Sequence, residues 1–219
     1  ASSATRRRSP GSGPKEKIKI VGYPKDDILS SYSNEYREKI RRALGISEGK
    51  KVILYAPTFR ENRDFNESFK LNIELWRKDL GKEYVLLYRA HPVVKAEDKI
   101  DNDFFIDVTS YEIVEELMIA SDVLVSDYSG IIFDYCIMHK PIYLWTYDFA
   151  EYEKERGFYF DIREELKASE TEKGVINMLK THDWTSEPKE VVDFQKKYET
   201  VHGRGTENSL NLIYENILA

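Results

Sequence analysis

Short apolar runs recur along this chain, each followed by a stretch with helical periodicity, and that alternation limits the fold more than any other feature. IKIVG (Ile18–Gly22), KVILYAP (Lys51–Pro57), YVLLYRAHP (Tyr84–Pro92), FFIDV (Phe104–Val108), DVLVSD (Asp122–Asp127) and PIYLW (Pro141–Trp145) read as strands. Several are apolar at nearly every position, as expected when both faces of a sheet are covered. Between them, NEYREKIRRALGI (Asn34–Ile46), FKLNIELWRKDLG (Phe69–Gly81), SYEIVEELMIA (Ser110–Ala120) and GIIFDYCIMH (Gly130–His139) read as helices. Ser33 or Asn34 caps the first and Gly45 stops it, and Ser110 caps the third. From Glu170 onward the tail reads as two or three further helices. Strands alternating with helices at short spacing give an α/β fold with a doubly wound parallel sheet. Residues 1–15, small, polar and broken by Pro and Gly, read as a disordered linker or tail, and 16–219 as one domain with C-terminal helices.

Composition excludes several classes. The 219 residues carry a net charge of -6, which disfavours nonspecific nucleic-acid binding. No apolar stretch approaches the ~18 residues needed to span a bilayer, and no signal peptide is visible, so the chain reads as cytosolic. The single cysteine, Cys136, sits in an apolar run, where a buried thiol is expected and a disulfide framework is excluded. Neither the P-loop nor the G-x-G-x-x-G dinucleotide pattern occurs, and no histidine pair has metal-ligand spacing.

In doubly wound sheets ligands bind outside the carboxyl ends of the strands. Here those ends read APTFRENR, RAHP, SDYSG and WTYD, and bring Thr58, Arg60, Arg89, His91 and a Ser/Gly turn to one sheet edge. Each group suits an anion. Arginine gives planar bidentate recognition of phosphate; Arg63 and Arg89 do the same or lie on the surface. His91, held by Pro92 in an extended turn, is a capping or core histidine, or else a phosphate ligand and proton donor. Ser126 and Asp127 close a strand, and Ser129 and Gly130 open a helix whose free N–H groups favour a phosphate. Ser129 caps that helix or faces the ligand, and Gly130 removes a side chain where an oxygen would approach. Asp134, one turn on, binds a substrate hydroxyl or caps a neighbouring loop. His139 reads as a helix C-cap. The stretch from Tyr147 through Asp161 reads as a long aromatic-rich loop that shapes a pocket.

Taken together, VGYPKDD, ILYAPTFRE, YRAHP, VSDYSGIIFDYCIMHKPIYLW and TYDFAEYEKERGFYFD resemble the CDP-glycerol glycerophosphotransferase family, the teichoic-acid and capsule polyol-phosphate polymerases of bacteria. The motifs occur in family order over about residues 18–161, and the closing helices match more loosely, with His202–Gly203 where the family tends to show Asp–Gly. The resemblance implies a Rossmann-like domain forming the C-terminal, donor-binding half of a GT-B glycosyltransferase-type fold, with an N-terminal acceptor-side domain elsewhere. It implies transfer of glycerol phosphate or ribitol phosphate from CDP-glycerol or CDP-ribitol to a polyol-phosphate or glycan acceptor, with release of CMP and no metal or other cofactor. Carried over, His91 and Arg60 hold the donor pyrophosphate, Ser126, Asp127, Ser129 and Gly130 line the site, and Asp134 lies beside it. The enzyme would work on the cytoplasmic face of the membrane, where the polymer lies. The alternatives are a GT-B nucleotide-sugar enzyme, such as a UDP-sugar 2-epimerase, and a nonenzymatic nucleotide-binding module.

Overall fold

The computed structural model describes residues 18–58, 60, 71–90 and 103–217. Six parallel strands form one sheet: β1 (Lys51–Tyr55), β2 (Tyr84–Tyr88), β3 (Phe105–Asp107), β4 (Val123–Ser126), β5 (Ile142–Trp145) and β6 (Ala168–Ser169). Their order is β3-β2-β1-β4-β5-β6. The chain builds outward from β1 in one direction, then returns to add β4 on its other side, so the topological switch lies between β1 and β4. Register across it pairs Tyr55 with Val125.

Alternation within each strand divides the core in two. Val52, Leu54, Val85, Leu87 and Leu124 face one layer, packed by α1 (Asn34–Ala43), α3 (Val114–Ala120), α4 (Ile131–Tyr135) and α7 (Lys189–Tyr198). Ile53, Tyr55, Leu86, Tyr88, Val125 and Trp145 face the other, against Trp76 and Leu80 of α2 (Ile73–Leu80) and Val175 and Leu179 of α6 (Glu172–Lys180). That second layer is aromatic, with Tyr55 between Tyr88 and Trp145 in tilted contacts at centroid distances of 5.8 and 5.9 Å. The consecutive apolar residues of the strands are therefore required by two separate cores.

Local chemistry sets the helix ends. Ser33 Oγ accepts the Tyr36 N–H, and Gly45 adopts φ 71° after α1, as expected. His139 closes a 3-10 turn at Cys136–Met138 in a left-handed conformation, and Cys136 is buried, both as expected. Other expectations need correction. Ile18–Gly22 alternates like a strand but joins no sheet; Val21 accepts from the Asn208 side chain, and Gly22 turns at φ 81° against Val201. Ser110 caps nothing, because α3 begins only at Val114: Tyr111 first turns to accept from Arg89 and to donate to Glu116. Half of the anticipated aromatic loop is helical, α5 (Phe149–Arg156), ended by Gly157 at φ 70°. The two-residue strand β6 was too short to be seen in the sequence.

The final helix, α8 (Gly205–Ile217), packs on a 3-10 helix at Pro24–Ser30. Gly205 approaches so closely that a Cβ there would lie 2.6 Å from the Tyr23 carbonyl carbon. Asp27 accepts the N–H groups of Gly205 at 2.6 Å and Thr206 at 2.9 Å, capping α8 across 178 residues. Small or polar residues Gly205, Asn208 and Ser209 turn toward the domain, while Leu210, Ile213, Tyr214 and Ile217 are 47–73% exposed. Among the described residues, no helix is long and apolar enough to cross a membrane.

Candidate functional site

A cavity of about 700 Å³ opens at the switch point. Ala56–Thr58 after β1, Arg89 and Ala90 after β2, and Tyr128–Ile131 after β4 form its walls, with Asp134 of α4 and Arg156 of α5 at its rim. Strands end here because their carboxyl ends carry the small and polar residues that leave room.

Several of the anticipated residues lie beneath the cavity rather than in it. Ser126 is fully buried and donates its hydroxyl to the Ala56 carbonyl at 2.7 Å, tying β4 to β1. Asp127, 2% exposed, accepts from Thr58 N–H at 2.8 Å, Thr58 Oγ1 at 2.6 Å, Tyr128 N–H at 2.6 Å and Arg60 Nη2 at 2.8 Å. Arg60 is 6% exposed, and its Nε reaches Asp148 Oδ2 at 2.9 Å. The Tyr128 and Tyr152 rings flank its guanidinium at 5.4 and 4.7 Å. Burial opposes the Arg60 charge, and the Asp148 and Asp127 carboxylates override it, so the group is held more firmly cationic than usual. Arg60 therefore does not line the cavity; its donors go to Asp127, Asp148 and the Thr58 carbonyl. Its effect is to fix the loop after β1 against the loops after β4 and β5.

The cavity itself keeps Thr58, Arg89, Ser129, Gly130 and Asp134. Arg89 Nη1 donates to the Tyr111 carbonyl at 2.6 Å, and among the described residues it has no carboxylate within ion-pair distance. Burial pushes its guanidinium down from the ordinary arginine range. Ser129 Oγ caps weakly, 3.5 Å from Ile131 N, and Gly130 has no atom within 4 Å of the position a Cβ would take. Asp134 Oδ2 is held by Lys25 Nζ at 2.7 Å. His91 and Arg63 lie outside the described residues. His139, His182 and His202 bond Gln195, Tyr143 and Ser30 instead and do not reach the cavity. Among the described residues, no group of three or more His, Cys, Asp or Glu side chains is arranged to hold a metal ion.

Sequence reasoning missed the partners. Asp148 had one signal, its place in WTYD at a strand end, but its pairing with Arg60 crosses 88 residues. Lys25 lies in the VGYPKDD motif, but its partner Asp134 is 109 positions away.

A family model described as CDP-glycerol:poly(glycerophosphate) glycerophosphotransferase matches residues 12–218. A teichoic acid glycerol-phosphate transferase of Staphylococcus aureus is 38% identical over 182 residues, covering 78% of this chain and 47% of that protein. A teichoic acid poly(glycerol phosphate) polymerase of Bacillus subtilis is 32% identical over 209 residues, covering 89% of this chain and 28% of its own length. Among solved structures, the wall teichoic acid polymerase TagF superposes with a TM-score of 0.80 at 32% identity, covering 94% of this chain and 53% of that one. The chain thus spans about half or less of the length of these relatives, and its sheet and flanking helices are the Rossmann-like architecture of a GT-B-type fold shared with TagF. On the family match across nearly its whole length, the chain belongs to the CDP-glycerol:poly(glycerophosphate) glycerophosphotransferase family.

Proposed function

We propose that this domain binds the CDP-alcohol donor of an enzyme that transfers glycerol phosphate, or ribitol phosphate, to a polyol-phosphate acceptor in teichoic acid synthesis. The observation that carries this reading is a half-buried arginine, Arg89, facing a cavity at the switch point with no described carboxylate within ion-pair distance. A diphosphate supplies the missing charge.

In the proposed reaction an acceptor hydroxyl attacks the β-phosphorus. A new O–P bond forms, the bond to the bridging oxygen breaks, CMP departs with that oxygen, and the hydroxyl proton passes to solvent or to a base outside this chain. Negative charge grows on the nonbridging oxygens and on CMP, and Arg89 stabilises it at the point where it develops. The backbone N–H groups of Ser129 and Gly130, which donate to no other described residue, add dipoles at the same wall. Thr58 offers a hydroxyl, and Asp134 accepts from a hydroxyl of the ribose or alcohol. His91 stands as the proposed proton donor to the departing phosphate. Arg60, Asp127 and Ser126 hold the walls in place. A second domain outside this chain presents the acceptor, and the enzyme works at the inner face of the membrane where the polymer grows.

Isothermal titration of the chain with CDP-glycerol, CDP, UDP and ADP tests this. The cytidine ligands are expected to bind and the others to bind at least about tenfold more weakly, with Arg89→Ala losing about 10- to 100-fold, the range of a lost charged hydrogen bond. Gly130→Ala should fold normally, since φ is -59° and its Cβ meets open space, yet weaken binding by placing a methyl in the cavity. Preference for UDP, or full affinity in the Arg89→Ala protein, would overturn the proposal.

A further inference from the structure

A cavity for a diphosphate should not contain an uncompensated carboxylate, yet Asp134 stands at its rim. Its surroundings are more acidic still. Asp26 and Glu115 lie 2.5 and 3.9 Å from Lys25, and Glu199, which follows α7, faces the same group. Lys25 Nζ reaches Asp134 Oδ2 at 2.7 Å. Asp26 is 2% exposed, and burial raises its carboxyl toward the protonated form.

The deeper carboxylate shows the same pattern. Asp127 lies below the cavity with Arg60 against it. The acids at and beneath the cavity wall thus share their cations, Lys25 among Asp134, Asp26 and Glu115 and Arg60 between Asp127 and Asp148, while Arg89 has no described carboxylate within ion-pair distance and interacts with Glu115 only at longer range. Lys25 comes from outside the sheet, on the 3-10 helix at Pro24–Ser30, which α8 holds in position through Asp27. Among the described residues, no other lysine or arginine forms an ion pair with Asp134.

We infer that Lys25 is a positioning residue for the donor: by pairing with Asp134 it cancels a negative charge at the cavity rim and orients that carboxylate toward a donor hydroxyl, so that an anionic diphosphate can occupy the cavity beside Arg89. This rests on the donor-site reading above and deepens it. The ligand class follows from the charge balance. A neutral or cationic ligand would gain nothing from the compensation, whereas a diphosphate does, because a like charge at short range in a partly desolvated cavity repels it.

The test is a charge cycle read by CDP titration of the chain. Lys25→Met should weaken CDP binding about tenfold, equal to about 1.4 kcal/mol. Adding Asp134→Asn to Lys25→Met should restore most of the lost affinity, because the uncompensated charge is then gone. Lys25→Gln keeps a hydrogen-bond donor without the charge, and should lose as much as Lys25→Met; it also serves if the methionine variant folds poorly, as checked by thermal unfolding. Failure of the second substitution to restore binding, or full affinity in Lys25→Gln, would show that Lys25 only anchors its helix and would overturn the inference. Absence of CDP binding in the unsubstituted chain would instead defeat the donor-site reading.

Discussion

Arg60 illustrates how a residue type is legible and its role is not. An arginine at a strand end reads as a phosphate ligand, because exposed guanidinium groups serve that purpose. Burial changes the reading, and burial depends on Asp148 and Tyr152, which lie about 90 positions later in the chain. Arg60 joins two carboxylates and lies between two rings, so its planar fork matters as well as its charge. Arg60→Met should cost about 3–5 kcal/mol in urea unfolding, since it leaves Asp127 and Asp148 buried against each other without a cation. Arg60→Lys should recover less than half of that, because a point charge cannot bond both acids and Thr58 at once. A lysine variant as stable as the parent would show that geometry is irrelevant there. Ser129 and Gly130 were legible as a turn at a strand end, and the structure places both on the cavity wall.

At the scale of elements, the central strands were legible because two cores demand apolar residues at every position. Ile18–Gly22 carries the same alternation and misleads, since pattern alone does not provide a neighbouring strand to pair with. The 3-10 helix at Pro24–Ser30 was not anticipated, because the partner that Asp27 caps lies at the far end of the chain. Asp26 meets Lys25, and Asp27 caps α8. Hydrogen bonds from Thr206 and Gly205 hold the Asp27 carboxyl below the ordinary carboxylate range. A group depressed in the folded state stabilises above its unfolded pKa of about 3.9 and loses that contribution as pH falls through the lower folded value. Amide exchange in the first turn of α8 should therefore stay slow from neutral pH to about 4 and accelerate below it. In Asp27→Ala the same amides should exchange about 5- to 30-fold faster at neutral pH, the measure of a lost N-cap, and show no acid transition of this origin. Equal protection in the two proteins would mean that packing against Tyr23, not the cap, holds the helix.

For the molecule as a whole, the strand ends gave the sheet edge on which the cavity lies, because open α/β sheets have only one edge where loops can converge on a ligand. What the sequence could not reveal is which way its last helix faces. The pattern of α8 would ordinarily turn Leu210, Ile213, Tyr214 and Ile217 inward, but Gly205 and Asn208 make the close contacts and the apolar stripe points out. That orientation carries a colloidal cost. A net charge of -6 keeps molecules apart at low ionic strength, and salt screens that repulsion over about 10 Å at 0.1 M. The isolated domain should therefore associate as salt and concentration rise, visible as a growing sedimentation coefficient. Ile213→Lys with Ile217→Lys should suppress the association while leaving the melting temperature within about 2 °C, since neither side chain is buried in the domain. A domain that stays monomeric at high salt would show the stripe to be harmless; otherwise its solubility limit is set by about two turns of helix.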